Sequence, residues 1–190
     1  MNIQIDKTWT LFLDRDGVIN KRLPDDYVKE VSQFEFIDGV LQAISVFSKL
    51  FNRIIIVSNQ QGIGKGLMTV KQLELIHEEM HQKVKEAGGK IDKVLYSPYL
   101  STEKHFTRKP MIGMGLLAKK EFGDISFRKS VMVGDSVSDM LFGKRLGMKT
   151  VYLGEVAEAR LKNKIIDYCY QDLKEFARVI SEGIAGNQEN

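Results

Sequence analysis

Residues 10–20, TLFLDRDGVIN, change character at their midpoint. Thr10–Leu13 run without a polar break into Asp14-Arg15-Asp16-Gly17. An unbroken run of β-branched and apolar residues suits a strand buried on both faces, and the charged turn marks its carboxyl end. Two carboxylates two residues apart repel each other unless a cation or a shared proton compensates. Gly17 permits the positive φ that a tight turn beside them needs. The stretch therefore predicts a buried strand that delivers Asp14 and Asp16 to a site.

Similar runs recur along the chain: IIIV at 54–57, KVLY at 93–96, VMV at 131–133 and TVYL at 150–153. Helical spacing fills the intervals. Val40, Ile44, Phe47 and Phe51 form one apolar stripe, and Leu73, Ile76, Met80, Val84 and Ala87 form another. The second helix begins at Thr69 with Gln72 three residues on, a capping box, and stops at Gly88-Gly89. Further helices are expected over about 113–122, 137–146 and 172–182. Strands alternating with helices predict an α/β, doubly wound, Rossmann-like parallel sheet covered on both faces. No repeat, low-complexity tract or linker divides the chain, so a single domain over residues 1–190 is expected.

Composition narrows the function. Apolar residues are 43% and charged residues 28% of the 190, an ordinary globular balance. A formal charge of +3 is too mild to argue for nucleic acid, although a local basic cluster could hold an anion. One cysteine, Cys169, excludes an internal disulfide and fits a reducing compartment. No stretch approaches the ~20 apolar residues of a membrane span, and the N-terminus lacks the pattern of a signal peptide. A cytoplasmic protein without membrane or nucleic-acid partners is expected.

Ligands of such sheets bind just past the carboxyl ends of the strands. There IIIV runs into Ser58-Asn59-Gln60, and VMV into Gly134-Asp135-Ser136 with Asp139 one turn later. KVLY runs into a polar loop ending in Arg108-Lys109-Pro110. Each piece alone reads as a cap, a turn or a solvated face. Together they offer Asp14, Asp16 and Asp135 as carboxylates able to hold Mg2+, which prefers oxygen ligands and often bridges to phosphate. Ser58 and Lys109 would complete a cradle for a phosphoryl group. Asp14 would attack phosphorus, and Asp16 would protonate the leaving oxygen and later activate water. Lys109 would balance charge on the phosphoryl group and Asp14, and Asp139 would orient Asp135 or a water on the metal. A signalling receiver also uses an aspartate and a lysine on a parallel sheet, but it needs its acceptor after a middle strand, where this chain has Ser58-Asn59. A phosphate-loop assignment of GIGKG fails because Lys65 is followed by Gly66 rather than Ser or Thr. That stretch is expected to be a flexible lead-in to the helix at Thr69.

DRDGVIN, VSNQ, RKP and GDSVSD stand in the order of the four motifs of the haloacid dehalogenase superfamily, which the chain resembles over roughly residues 10–140. FIDGV, SNQQGIGKGLMT and RKPMIGM resemble the branch holding D-glycero-D-manno-heptose 1,7-bisphosphate 7-phosphatases and histidinol-phosphate phosphatases. The resemblance implies hydrolysis of a phosphomonoester through an aspartyl-phosphate. The substrate it implies is a small phosphorylated sugar, the heptose bisphosphate first and histidinol phosphate as the alternative. It gives Arg108, Asn59, Gln60 and Gln61 to the substrate. Members of the branch carry a zinc loop, Cys-x-His followed by Cys-x-Cys before Arg-Lys-Pro. The corresponding positions here are Ser97, Tyr99, His105 and Thr107, of which only His105 could ligate zinc. A tetrahedral site needs four ligands, so no structural zinc is expected, and Tyr96, Pro98, Tyr99 and Phe106 are expected to hold the loop by packing. Ser136 stands where the heptose enzymes often have lysine. The segments 21–37 and 96–114 are too short for a cap domain, which implies an open site. It would take a substrate that reaches in with its phosphate, or a partner subunit as lid, with the oligomeric state left open.

Overall fold

The run Thr10–Leu13 forms β1, every residue of it buried. This is a computed structural model describing residues 5–24, 26–155 and 164–185. The outermost residues of the expected 1–190 domain therefore lie outside the described ones, as do 25 and 156–163. The remaining strands are β2 (Arg53–Asn59), β3 (Lys93–Ser97), β4 (Ser130–Gly134), β5 (Lys149–Leu153) and β6 (Tyr168–Tyr170). All six pair in parallel in the order β3-β2-β1-β4-β5-β6. Tyr168-Cys169-Tyr170 was not expected as a strand. It is three half-buried residues at the sheet edge, too short to show a period.

The helices are α1 (Val40–Leu50), α2 (Gln61–Gly64), α3 (Val70–Glu86), α4 (Gly113–Glu121), α5 (Val137–Leu146) and α6 (Leu173–Ala185). The capping box at α3 is formed in both directions between Thr69 and Gln72. GIGKG is not a loose lead-in: Gln61–Gly64 form the helical turn α2, and the Gly64 amide donates to the Pro98 carbonyl at 3.1 Å.

Alternation along each strand builds two cores. Leu11, Leu13, Ile54, Ile56, Val131 and Val133 face α1 and α6, where Phe47, Phe51 and Phe176 pack. Phe12, Ile55, Val57 and Met132 face the opposite way, onto Met114, Ala118 and Phe142. The chain leaves β1 to one side for β2 and β3, then returns to its other side for β4. The strand order thus reverses at β1, where a doubly wound sheet opens a crevice. The register sets Leu13 opposite both Ile56 and Val133, so Asp14 sits at the middle of that crevice.

Phe47 has no exposed surface and touches rings on its own helix and on α6. Phe47→Ala is expected to destabilise the protein by roughly 3–5 kcal/mol, read as a lowered denaturation midpoint in urea with an unchanged slope.

Candidate active site

The Asp14 amide donates to the Val133 carbonyl at 3.0 Å, which extends the β1–β4 pairing by one residue before the chain turns. Asp14 Oδ1 then accepts from the Arg15 amide at 2.7 Å and from Lys109 Nζ at 2.8 Å, while among the described residues no donor meets its Oδ2. Lys109 is only 3% exposed, and its ammonium makes two further contacts, with Asp139 Oδ1 at 2.6 Å and the Val57 carbonyl at 2.6 Å. The ammonium thus meets three oxygens, from the end of β1, from β2 and from the first turn of α5. Burial alone would depress this ammonium, but Asp139 and Asp14 more than offset that and raise it.

Gly134 and Gly17 allow the acidic groups to come this close. A Cβ on Gly134 would overlap the Asp139 side chain, and one on Gly17, at φ +90°, would overlap Asp135 Oδ2. Oxygens of Asp14, Asp135 and Asp139 consequently lie within 4.8 Å of one another. Burial, then repulsion from Asp139, pushes the Asp14 carboxyl up to about 7 despite Lys109. Burial pushes Asp135 up to about 6, with Arg22 acting against it.

Asp16 departs from the expected arrangement. Its carboxylate is turned away from this cluster, accepting at Oδ1 from Arg15 at 2.8 Å and Asn20 at 3.0 Å and at Oδ2 from Gln60 at 2.7 Å. Burial favours its protonated form, but Arg15's charge and the three donors outweigh that and hold it below the usual carboxylate range. What Asp16 turns toward the acidic group is its main-chain oxygen, which accepts from Arg22 Nη2 at 3.1 Å. The same nitrogen lies 3.0 Å from Asp135 Oδ1. Asp139 likewise differs from expectation. Its Oδ2 closes the cap of α5 on Ser136, and its Oδ1 holds Lys109 rather than Asp135. Ser136, at the position of the missing lysine, is that helix cap.

The cavity at this crevice, about 300 Å3, is lined by Asp14, Asp16, Ser58, Asn59, Gln60, Gln61, Arg108 and Lys109 among others. Several of these side chains are already committed. Asn59 makes a reciprocal pair with the Lys109 main chain, at 3.1 and 2.9 Å, which fastens the 98–110 loop to β2. Gln60 is buried and donates to both Asp16 and Ser58, so it sets their positions. Gln61 donates to the Tyr27 hydroxyl, and Arg108 to the Tyr99 carbonyl. As expected of an open site, the mouth is formed by Arg22–Leu23 and Asp26–Val28 on one side and the loop bearing Arg108 on the other.

In that loop the positions Ser97, Tyr99, His105 and Thr107 lie against one another. His105 stacks on Tyr99 with ring centroids 3.4 Å apart, and its Nδ1 pairs with the Thr107 hydroxyl at 2.8 Å, which reaches Ser97 at 3.2 Å. Tyr99 packs as expected, Pro98 contributes its carbonyl to Gly64, and Phe106 remains 49% exposed.

Comparison with known proteins bears on the same region. Residues 10–181 match the sequence pattern of the family described as polynucleotide kinase 3 phosphatase. The chain belongs to this family. It is a phosphatase of the haloacid dehalogenase type. The D-glycero-alpha-D-manno-heptose-1,7-bisphosphate 7-phosphatase of Campylobacter jejuni is 37% identical over 147 residues, 77% of this chain and 83% of its own. The D-glycero-beta-D-manno-heptose-1,7-bisphosphate 7-phosphatase of Pasteurella multocida is 36% identical over 149 residues, 75% and 79% of the two chains. The crystal structure of the D,D-heptose 1,7-bisphosphate phosphatase of B. bronchiseptica, complexed with magnesium and phosphate, superposes with a TM-score of 0.83 at 25% identity. That match covers 92% of this chain and 99% of the other.

In this phosphatase the donor set fits Mg2+: it is all oxygen, Asp14 and Asp139 are buried and Asp135 half-buried, and burial together with the neighbouring carboxylates raises Asp14 and Asp135. Three neighbours escaped the sequence. Arg15 is a fully buried guanidinium inside the DxD turn, joined by His77 of α3 at 3.3 Å. Burial, then the Arg15 charge, lowers His77 to about 3, so the pair adds no second cation. The charge of Arg15 between two aspartates was its only signal, and neither His77 nor Arg22 had one.

Asp14 and Asp135 hold protons in the folded state above the usual carboxylate value of 3.8. Without metal, their contribution to stability is therefore lost as pH rises from about 4 through about 6 and 7. Added Mg2+ compensates the charge that appears, so the rise in melting temperature it brings is expected to grow between pH 5 and pH 8. His77, lowered to about 3, stays neutral in the folded protein across this range. A pH-independent shift would contradict the assignment.

Proposed function

We propose that the chain hydrolyses the phosphate ester of a small sugar bisphosphate through an Asp14 aspartyl-phosphate, with the 7-phosphate of D-glycero-D-manno-heptose 1,7-bisphosphate as its substrate. The observation that carries the chemistry is the pinning of Asp14 Oδ1 by Lys109 and the Arg15 amide, which leaves Oδ2 without a donor among the described residues, in the cavity that Ser58 also lines. Asp14 Oδ2 forms the new bond to phosphorus as the bond to the leaving oxygen breaks, and Asp16 gives that oxygen its proton. Asp16 is ionised in the resting site, and a phosphate anion bound beside it raises its proton affinity. In the second half Asp16 takes a proton from water, whose oxygen displaces Asp14 from phosphorus and releases inorganic phosphate.

Ser58 accepts from Gln60, which keeps its own hydroxyl proton for a phosphoryl oxygen. Lys109 neutralises Asp14 and reaches the phosphoryl group only by releasing an existing partner, so its principal work is on the nucleophile. Asp14 and Asp135 would hold Mg2+ with the Asp16 main-chain oxygen, and Asp139 acts through Lys109. Bound there, Mg2+ supplies positive charge against the dianionic ester.

The substrate assignment draws on the names of the relatives and on a second feature of the site. A cavity of about 370 Å3 adjoins the first, shares Asn59, Arg108 and Lys109 with it, and adds Lys104, Arg145 and no carboxylate. Arg145 and Arg108 each donate to a main-chain carbonyl, at 2.7 and 3.0 Å, and so keep their net charge for an anion. A substrate with a second phosphate matches this extension, whereas histidinol phosphate brings a cationic amine to it.

Asp14→Asn is expected to lower kcat by about 10^4-fold or more while leaving the melting temperature within a few degrees, and to abolish trapping of labelled phosphate on the protein. Retained turnover would overturn the aspartyl-phosphate. With wild-type protein and Mg2+, the heptose bisphosphate is expected to outpace histidinol phosphate and a 3′-phosphorylated oligonucleotide, the substrate class in the family's own name. Either of those leading would overturn the substrate.

Lys104→Ala with Arg145→Ala is expected to raise KM for the bisphosphate by about tenfold. p-Nitrophenyl phosphate, which has one phosphate, is expected to stay within twofold. Equal effects on both substrates would separate this cavity from the second phosphate.

A further inference from the structure

Two cations face the acidic group, and they are held differently. Lys109 is enclosed and fully bonded. Arg22 comes from the mouth segment, and its side chain is 53% exposed. One of its nitrogens, Nη2, donates to Asp135 Oδ1 at 3.0 Å and to the Asp16 main-chain oxygen at 3.1 Å. Those oxygens come from the ends of β4 and β1, and a small cation placed between the strands would use the same pair. Among the described residues Arg22 makes the one side-chain hydrogen bond and ion pair to Asp135.

We propose that Arg22 is a tethered competitor for the divalent cation, filling the face between Asp135 and the Asp16 carbonyl until the ion displaces it into the substrate cavity. This rests on the divalent-cation reading of the site above. Arg22 lines that cavity already, on the same mouth as Arg108, so a side-chain rotation suffices. The backbone around it stays anchored, because the Lys21 amide donates to the Glu35 carbonyl at 2.8 Å and Tyr27 is held by Gln61. A half-exposed pair is worth little and exchanges readily, unlike a buried one. Once displaced, the guanidinium adds a positive charge on the substrate side, so the ion would prepare the mouth for an anionic substrate as well as the acidic group for catalysis.

Calorimetric titration of Mg2+ into metal-free protein tests this without turnover. Arg22→Ala is expected to bind Mg2+ two- to fivefold more tightly than wild type, the range an exposed pair of this kind spans. Arg108→Ala removes the same charge from the same mouth without touching the carboxylates, and is expected to leave the affinity within twofold. Equal or weaker binding by Arg22→Ala, or equal tightening by Arg108→Ala, would overturn the competitor role while leaving the metal site standing. If wild type and Arg22→Ala both fail to bind Mg2+, the cation reading fails and this inference with it.

Discussion

The site hangs on one ammonium. Lys109 joins the end of β1 through Asp14, the end of β2 through the Val57 carbonyl, and the first turn of α5 through Asp139. Its main chain is clasped by Asn59, so the loop after β3 is fixed to the same point. Without that charge, buried Asp14 and Asp139 would face each other across a few ångströms of low dielectric, an arrangement that costs several kcal/mol by any estimate of buried like charges. Reactive geometry and local stability therefore have the same cause. The Asp14 carboxylate can be kept so deeply buried only because the lysine that neutralises it is also the fastener of four chain segments.

The fold was legible because its strands are unbroken apolar runs, which have one reading in a chain that also carries helical stripes. Strand β6 was not, since three half-buried residues at an edge show no period. The identity of the site residues was legible from strand ends, but the direction of their side chains was not. Asp16 looked like a partner of Asp14 and Asp135, yet Arg15, Asn20 and Gln60 draw it the other way. Asn59 and Gln60 line the cavity as ligand contacts would, and they also clasp Lys109 and Asp16. Spacing along a sequence states which groups can meet, whereas hydrogen-bond competition within the fold decides which do.

The loop from Ser97 to Pro110 shows how such competition can replace a stronger constraint. Four metal ligands would fix the loop by coordination. Here the same positions meet through a ring stack and two side-chain hydrogen bonds, while Asn59 and the Gly64 amide tie the loop to the sheet and to α2. Each contact is weak, and exposed Phe106 adds little. The catalytic end of the loop is nevertheless secure, because Lys109 is anchored independently. The end with Lys104 and Arg108 depends on the weaker set, so under the proposed function specificity is the property this loop leaves most open to change.

The electrostatics of the site divide along the same line. Fixed charges suit the parts that must be identical at every turnover, and burial makes Lys109 such a charge by removing every alternative partner from its reach. Exchangeable charges suit the parts that must accept an ion or a substrate, and water beside Arg22 makes its contacts replaceable. Both kinds of cation thus stand against one group of carboxylates. The raised proton affinity of Asp14 and Asp135 is what remains after both cations have acted. Burial is the first cause of that rise, and a divalent ion bound there would lower both groups again.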